Sequence, residues 1–196
     1  MDITYLTWFS LSGFFIAWDM ESDLLKKEWY VIRVQSRDEE KVKDFLLANS
    51  FLTKVLYRKA FYKKQGKVIK SNQLLFPGYI FVISDLNPLE FDQEIIDLRF
   101  KYGKYFKNLK YDNEGTSALK DEEKRFLSHL LGEKDVVETS EGFIEGDQVV
   151  ITDGPLSGLE SSIKYINRHK QKAKLELEFL GETIEAEVPL EIIYKN

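Results

Sequence analysis

Side chains that commonly do chemistry are scarce in this chain. It has two histidines, His129 and His169, and no cysteine. The histidines fall in different halves of the sequence, and neither has a second ligand at metal-binding spacing. Both therefore read as surface residues. The lack of cysteine removes thiolate nucleophiles, thiolate metal sites and disulfides together, and accords with a reducing cytoplasm. The acidic triplet Asp121-Glu122-Glu123 opens a predicted helix, where negative charge suits the positive end of the helix dipole and needs no catalytic explanation. Glycine-rich phosphate loops of the P-loop or dinucleotide kind are missing. These residues lead us to expect no catalysis, no metal and no cofactor.

What stands out instead is the distribution of positive charge. The chain carries 28 basic and 33 acidic residues, a formal net charge of -5, but a net value averages over faces and hides local patches. Between Lys54 and Lys70, basic residues stand at 54, 58, 59, 63, 64, 67 and 70 with no acid among them, interleaved with Tyr57, Phe61 and Tyr62. Cations mixed with aromatic rings suit phosphate pairing and base stacking. Arg58, Lys59, Lys63 and Lys64 are the candidates here. A second acid-free run holds Arg99, Lys101, Lys104, Lys107 and Lys110, and a third gathers Lys164, Arg168, His169, Lys170, Lys172 and Lys174 around one strand turn. From the third, Lys164, Arg168, Lys170, Lys172 and Lys174 are candidates for RNA contact. Each run also fits a plainer role, a charged hairpin edge that keeps strands from pairing with neighbouring molecules.

The elements that must position these runs follow from periodicity. Trp29–Val34 reads as a strand, and Glu39–Leu47 as a helix with Val42, Phe45 and Leu46 on one face. Val55–Tyr62 and Leu74–Ile83 (LLFPGYIFVI) suggest an antiparallel pair, with Pro77 and Gly78 marking an edge or a bulge. Pro88–Lys101 reads as a helix, Tyr105–Leu109 as a short strand and Lys120–Leu131 as a helix. Four strand patterns follow, at Gln148–Thr152, Ser161–Asn167, Lys174–Phe179 and Thr183–Val188, punctuated by glycine and proline turns. The expected class is α+β, an N-terminal antiparallel sheet with flanking helices and a small C-terminal β-barrel. Domain limits are set at 20–131 and 142–196, joined by an acidic linker over 132–141. Residues 1–19 hold WFSLSGFFIAW, too short to span a bilayer and without a basic flank, so no membrane role is expected. They read as a poorly ordered extension or a misassigned start ahead of Met20.

Nearly everything after Glu28 resembles the NusG family of transcription factors. Trp29-Tyr30-Val31, the helix with Glu40, Lys41 and Val42, and Phe76-Pro77-Gly78-Tyr79-Ile80-Phe81-Val82 look like its N-terminal domain. Gly146, Asp147, Val149-Val150-Ile151, Gly154-Pro155-Leu156 and Gly158 look like its KOW domain, an SH3-like barrel. The resemblance implies a cytoplasmic, monomeric elongation factor that docks on the clamp helices of bacterial RNA polymerase through an apolar face. Tyr30, Leu75, Phe76 and Tyr79 are the residues placed there, two or three of them expected to be exposed. It implies contact of the Lys54–Lys70 region with nontemplate DNA. Phe179-Leu180-Gly181-Glu182-Thr183 departs from the family segment that contacts Rho and a ribosomal protein, so neither partner is implied. Gly154-Pro155-Leu156-Ser157-Gly158-Leu159-Glu160 and Pro189-Leu190-Glu191-Ile192-Ile193 are closer to the specialised LoaP paralogues. That likeness implies antitermination guided by a hairpin in the nascent leader RNA. A general NusG-like elongation factor and a ribosome-associated KOW RNA-binding protein are the other readings.

Overall fold

The computed structural model describes residues 25–102, 106–111, 115–131, 135–146 and 148–193, with the side chains of 63, 64 and 68 outside the described set. The expected extension over 1–19 lies outside the described residues. The N-terminal half is built on strand β1 (Glu28–Val34), followed by helix α1 (Glu39–Ala48), β2 (Leu52–Lys54), β3 (Tyr57–Lys64), β4 (Lys67–Leu74), β5 (Tyr79–Ser84), α2 (Pro88–Tyr102), β6 (Phe106–Asn108) and α3 (Asp121–Leu131). Its main sheet runs β2-β5-β1-β6. β1 lies antiparallel to β5, pairing Trp29 with Ile83 and Val31 with Phe81, and antiparallel to β6 on its other side.

Alternation along these strands separates two apolar layers, since successive side chains leave opposite faces of a sheet. Tyr30, Ile32, Ile80 and Val82 point to one side, where they pack with Val42 and Leu46 of α1 and Phe91, Ile95 and Leu98 of α2. Trp29, Val31, Phe81 and Ile83 point to the other, into a second cluster with Leu127, Leu130 and Leu131 of α3 and with residues of the C-terminal half. No described helix is long and apolar enough to cross a membrane.

The expected pairing of Val55–Tyr62 with Leu74–Ile83 is corrected. β3 pairs with β4, Tyr57 opposite Leu74 and Lys64 opposite Lys67. The run LLFPGYIFVI is not one strand, because Phe76 to Tyr79 is a turn that ends β4 and starts β5. The Tyr79 amide donates to the Phe76 carbonyl at 3.2 Å, and Gly78 sits at φ 85. Proline followed by a positive-φ glycine is the type II turn pattern. β4, KVIKSNQL, escaped sequence reading because its polar residues give little apolar alternation.

The turn is bolted to α1. Glu39, only 3 % exposed, accepts the Gly78 amide at 2.8 Å and the Arg37 amide at 2.7 Å. Val34 N donates to the Gly78 carbonyl at 2.8 Å, and a Cβ at position 78 would lie 3.3 Å from Val34 O. Position 78 therefore requires both the left-handed backbone and the missing side chain.

In the C-terminal half, β7 (Val136–Val137) adds in parallel to β3 within the stretch read as a linker. Then come β8 (Ser140–Glu145), β9 (Gln148–Asp153), a 3-10 turn (Glu160–Ser162), β10 (Ile163–Asn167), β11 (Lys172–Phe179) and β12 (Glu182–Ile192). They form a five-stranded sheet in the order β10-β11-β12-β8-β9. The Gly-Pro-Leu loop closes it: Leu156 is fully buried and its amide donates to Ser140 Oγ at 3.0 Å. A Cβ on Gly154 would come within 2.6 Å of Ser140 Cα.

Gly78→Ala is expected to cost about 1–3 kcal/mol from the forced positive φ and the contact with Val34 O. Urea unfolding would read this as a lower midpoint at unchanged slope.

Candidate protein and nucleic-acid interface

The apolar face assigned from the resemblance is where the two halves of the molecule meet. Leu75 and Phe76 are 3 % and 5 % exposed. The Phe76 ring lies 5.9 Å from Phe81 and 6.0 Å from Phe179 of β11, and Phe179 meets Phe81 edge-on at 5.8 Å. Such offset and edge-to-face pairs favour contact beyond simple area burial. Leu180, at the β11–β12 turn, is buried in the same cluster.

Expected exposure is thus corrected for Tyr30, Leu75 and Phe76. Tyr30 faces the helical layer, stacked on Phe91 at 3.7 Å, and its hydroxyl donates to the Leu86 carbonyl at 2.6 Å. Burial pushes its phenol well above the ordinary range, with Glu28 adding to the effect. It is a core residue of the opposite face. Tyr79 is half-buried and packs at the margin of the cluster shared by the two halves.

Polar contacts frame the aromatic centre. Glu123 of α3 accepts the Leu180 amide at 2.8 Å through one carboxylate oxygen, while the other takes the Lys120 amide at 2.7 Å and the Tyr111 hydroxyl. The second set is the reach-back half of a capping box. One carboxylate therefore starts α3 and holds the C-terminal sheet. His129 Nε2 donates to the Ser157 carbonyl at 2.9 Å. On the far side, Arg58 of β3 donates to Gln73 at 3.0 Å and to Glu187 of β12 at 3.1 Å. Glu187 also pairs with Lys172. The hydrogen bond from Lys172, opposed by burial and aided by the charges of Lys172 and Arg58, holds the Glu187 carboxyl below its ordinary value. For Arg58, burial outweighs the carboxylate and draws the guanidinium below its ordinary value.

The basic candidates divide. Arg58 and Lys59 meet Lys170 and Lys172 across one cleft of about 490 Å3. Lys59 is within 3.6 Å of Glu138. Lys164 pairs with Glu176 at 2.8 Å and Lys174 with Glu185 at 2.5 Å, so both belong to a cross-strand charge ladder on the outer face of β10–β12. Arg168 lies in the β10–β11 turn, and the side chains of Lys63 and Lys64 fall outside the described residues. In the second run Arg99, Lys107 and Lys110 line one small cleft with Asp92, to which Lys110 pairs, while Lys101 turns away to reach Asn49 at 3.2 Å. Among the described residues, no group of three or more His, Asp or Glu converges as a metal site.

Residues 27–100, from the approach to β1 through most of α2, match the family model described as transcription termination factor nusG. Over this segment the chain is similar to the NusG family. It is also 25% identical over 181 residues to the transcription termination/antitermination protein NusG of Thermus thermophilus, covering 86% of this chain and 96% of that protein. The NusG-family match takes in Leu75, Phe76 and the turn they precede. It stops short of Phe179, Leu180, Glu123 and Glu187, which complete the interface and which sequence reasoning missed. One signal was available. Trp29–Ile32 and Ile80–Ile83 are apolar without alternation, the mark of strands buried on both faces.

Phe179→Ala is expected to lower stability by about 3–5 kcal/mol, because Phe76 and Phe81 both lose their partner. Tyr165→Ala, at a ring 60% exposed, should change it by less than about 0.5 kcal/mol. Thermal unfolding of the two variants side by side checks the contrast.

Proposed function

We propose that this protein is a NusG-like transcription factor that binds RNA polymerase through Leu75, Phe76 and Tyr79 and promotes antitermination. The observation that carries the reading is the apolar, aromatic-rich face of β5 and its preceding turn, within the segment that matches the NusG family. Aromatic residues grouped in a desolvated patch are the usual anchors of a protein interface. The C-terminal β domain is read as a KOW-type barrel that contacts a hairpin in nascent RNA through Arg168, Lys170 and Lys172, with Lys164 and Lys174 at its margin. Arg58, Lys59, Lys63 and Lys64 are read as contacts to nontemplate DNA. Within the family, the likeness of the Gly154–Glu160 and Pro189–Ile193 segments favours the LoaP type, and this supports antitermination over termination.

Phe179 packs on Phe76, and Leu75 and Leu180 are buried in the same cluster, so polymerase can reach this face only when the C-terminal sheet moves off. Docking of the sheet then competes with docking of polymerase, and apparent affinity falls by the fraction of molecules already open. Glu123 sets that fraction in part, through its bond to the Leu180 amide.

Purified full-length protein should bind core RNA polymerase, Tyr79→Ala should weaken binding, and Glu123→Ala should tighten it by about tenfold, the worth of one charge-assisted hydrogen bond. Circular dichroism would confirm that α3 survives the loss of its cap. Absence of binding in both the unsubstituted protein and Glu123→Ala would refute the reading.

A further inference from the structure

Three neighbouring clefts run together around the β3–β4 hairpin and the outer edge of the C-terminal sheet. The central one, about 490 Å3, is walled by Arg58, Lys59 and Tyr62 on the hairpin and by His169, Lys170 and Lys172 on the sheet. It shares Lys170, Lys172 and Glu187 with a cleft of about 280 Å3 that continues along β10 past Tyr165 and Lys174. It shares Lys59 and Phe61 with a third, about 520 Å3, that turns the hairpin edge toward Lys70 and Asn72. Together they make one track longer than a pocket for a single small ligand, which typically occupies about 300–1,000 Å3 in all.

The chemistry along the track is uniform. Among the described residues six cations line it, Arg58, Lys59, Lys70, Lys170, Lys172 and Lys174, against the carboxylates Glu138 and Glu187 in its walls and Glu185, which pairs with Lys174 at its margin. That leaves a local charge of +3 on a chain whose formal net charge is -5. Aromatic rings are spaced along it: Tyr165 is 60% exposed and Tyr62 47%, and Phe61 lies beneath Lys70 at 5.8 Å. Exposed rings set in a cationic groove are what unpaired bases on a phosphate backbone require. A double helix would hide its bases from these rings.

We propose that the track binds a single-stranded polynucleotide across both halves of the molecule, with a backbone phosphate taking the place of the Glu187 carboxylate between Arg58 and Lys172. Glu187 already shows that an oxyanion fits between these two cations. Tyr62 and Tyr165 carry bases on either side. Because its walls come from both halves, the strand binds the docked arrangement, and by linkage it opposes the opening that exposes Phe76. The inference rests on the proposed function for its partner class, nucleic acid, but joins in one groove what that reading treats as separate DNA and RNA contacts, and gives Lys170 and Lys172 an unpaired strand in place of a hairpin stem.

The test is fluorescence anisotropy of the full-length protein with labelled single-stranded RNA and DNA of about 12 nucleotides and with a duplex of the same sequence. The track predicts single-strand binding that weakens steeply between about 50 and 200 mM salt, with the duplex weaker by tenfold or more. Tyr62→Ala and Tyr165→Ala, one on each half, should each weaken it about fivefold or more, and both together further. Both rings are exposed, so the fold should be retained, and circular dichroism checks this. Tighter RNA binding names a transcript as the source of the strand, and equal or tighter DNA binding names a displaced DNA strand. Duplex binding as tight as single strand, no binding at low salt, or sensitivity to only one tyrosine would overturn the proposal. Polymerase capture by the unsubstituted protein reports on the proposed function alone, and this assay on the track alone.

Discussion

The contact of Phe179 with Phe76 and Phe81 is the constraint around which the molecule is arranged. It exists because β1 and β5 are apolar on both faces, and a sheet with two apolar faces must have two covers. Helices α1 and α2 cover one face with side chains from their own half of the chain. The other is covered partly by α3 and partly by the C-terminal sheet, so the two halves of the chain share a single apolar cluster. A surface that belongs to an intramolecular core in one state is also the surface best suited to an intermolecular contact in another.

Polar groups around this centre set how tightly the halves are held. Glu123 uses one carboxylate for two jobs, capping α3 and holding Leu180. Glu187 bridges the β3–β4 hairpin and its own sheet through Arg58 and Lys172. Solvent-accessible ion pairs contribute little to stability, so the aromatic packing supplies most of the adhesion and the charged groups supply orientation. This division explains how a chain of net negative charge keeps a basic track: its acids are used in ladders such as Glu176 with Lys164 and Glu185 with Lys174, away from the central cleft.

Much of the fold was legible in the sequence. The strand at Trp29–Val34, the three long helices and the four later strand patterns sit within a few residues of their expected places, because each has strong periodicity or clear turn residues. Phe76-Pro77-Gly78-Tyr79 was recognised as special but misread as an irregular strand, since its geometry depends on Glu39, far away in sequence. β4 and β8 were missed for different reasons: β4 is polar along most of its length, and β8 straddles the acidic stretch taken for a linker. Tyr30 was misplaced because a motif names a strand without saying which face each side chain takes. Partners of the interface, Phe179 and Glu187, carry no local signature at all, as their roles come from tertiary approach. Basic runs were visible as composition, but only the fold shows that Arg58 and Lys170 share a cleft while Lys164 and Lys174 are held by neighbouring carboxylates.

The central claim is that polymerase and the C-terminal sheet compete for the same aromatic face. Hydrogen exchange at the Leu180 amide, with and without core RNA polymerase, tests it most directly, since this amide is held by Glu123 only while the sheet is docked. The account predicts that Leu180 loses protection in the polymerase complex while β5 stays protected. A Leu180 amide as protected in the complex as in the free protein would contradict it.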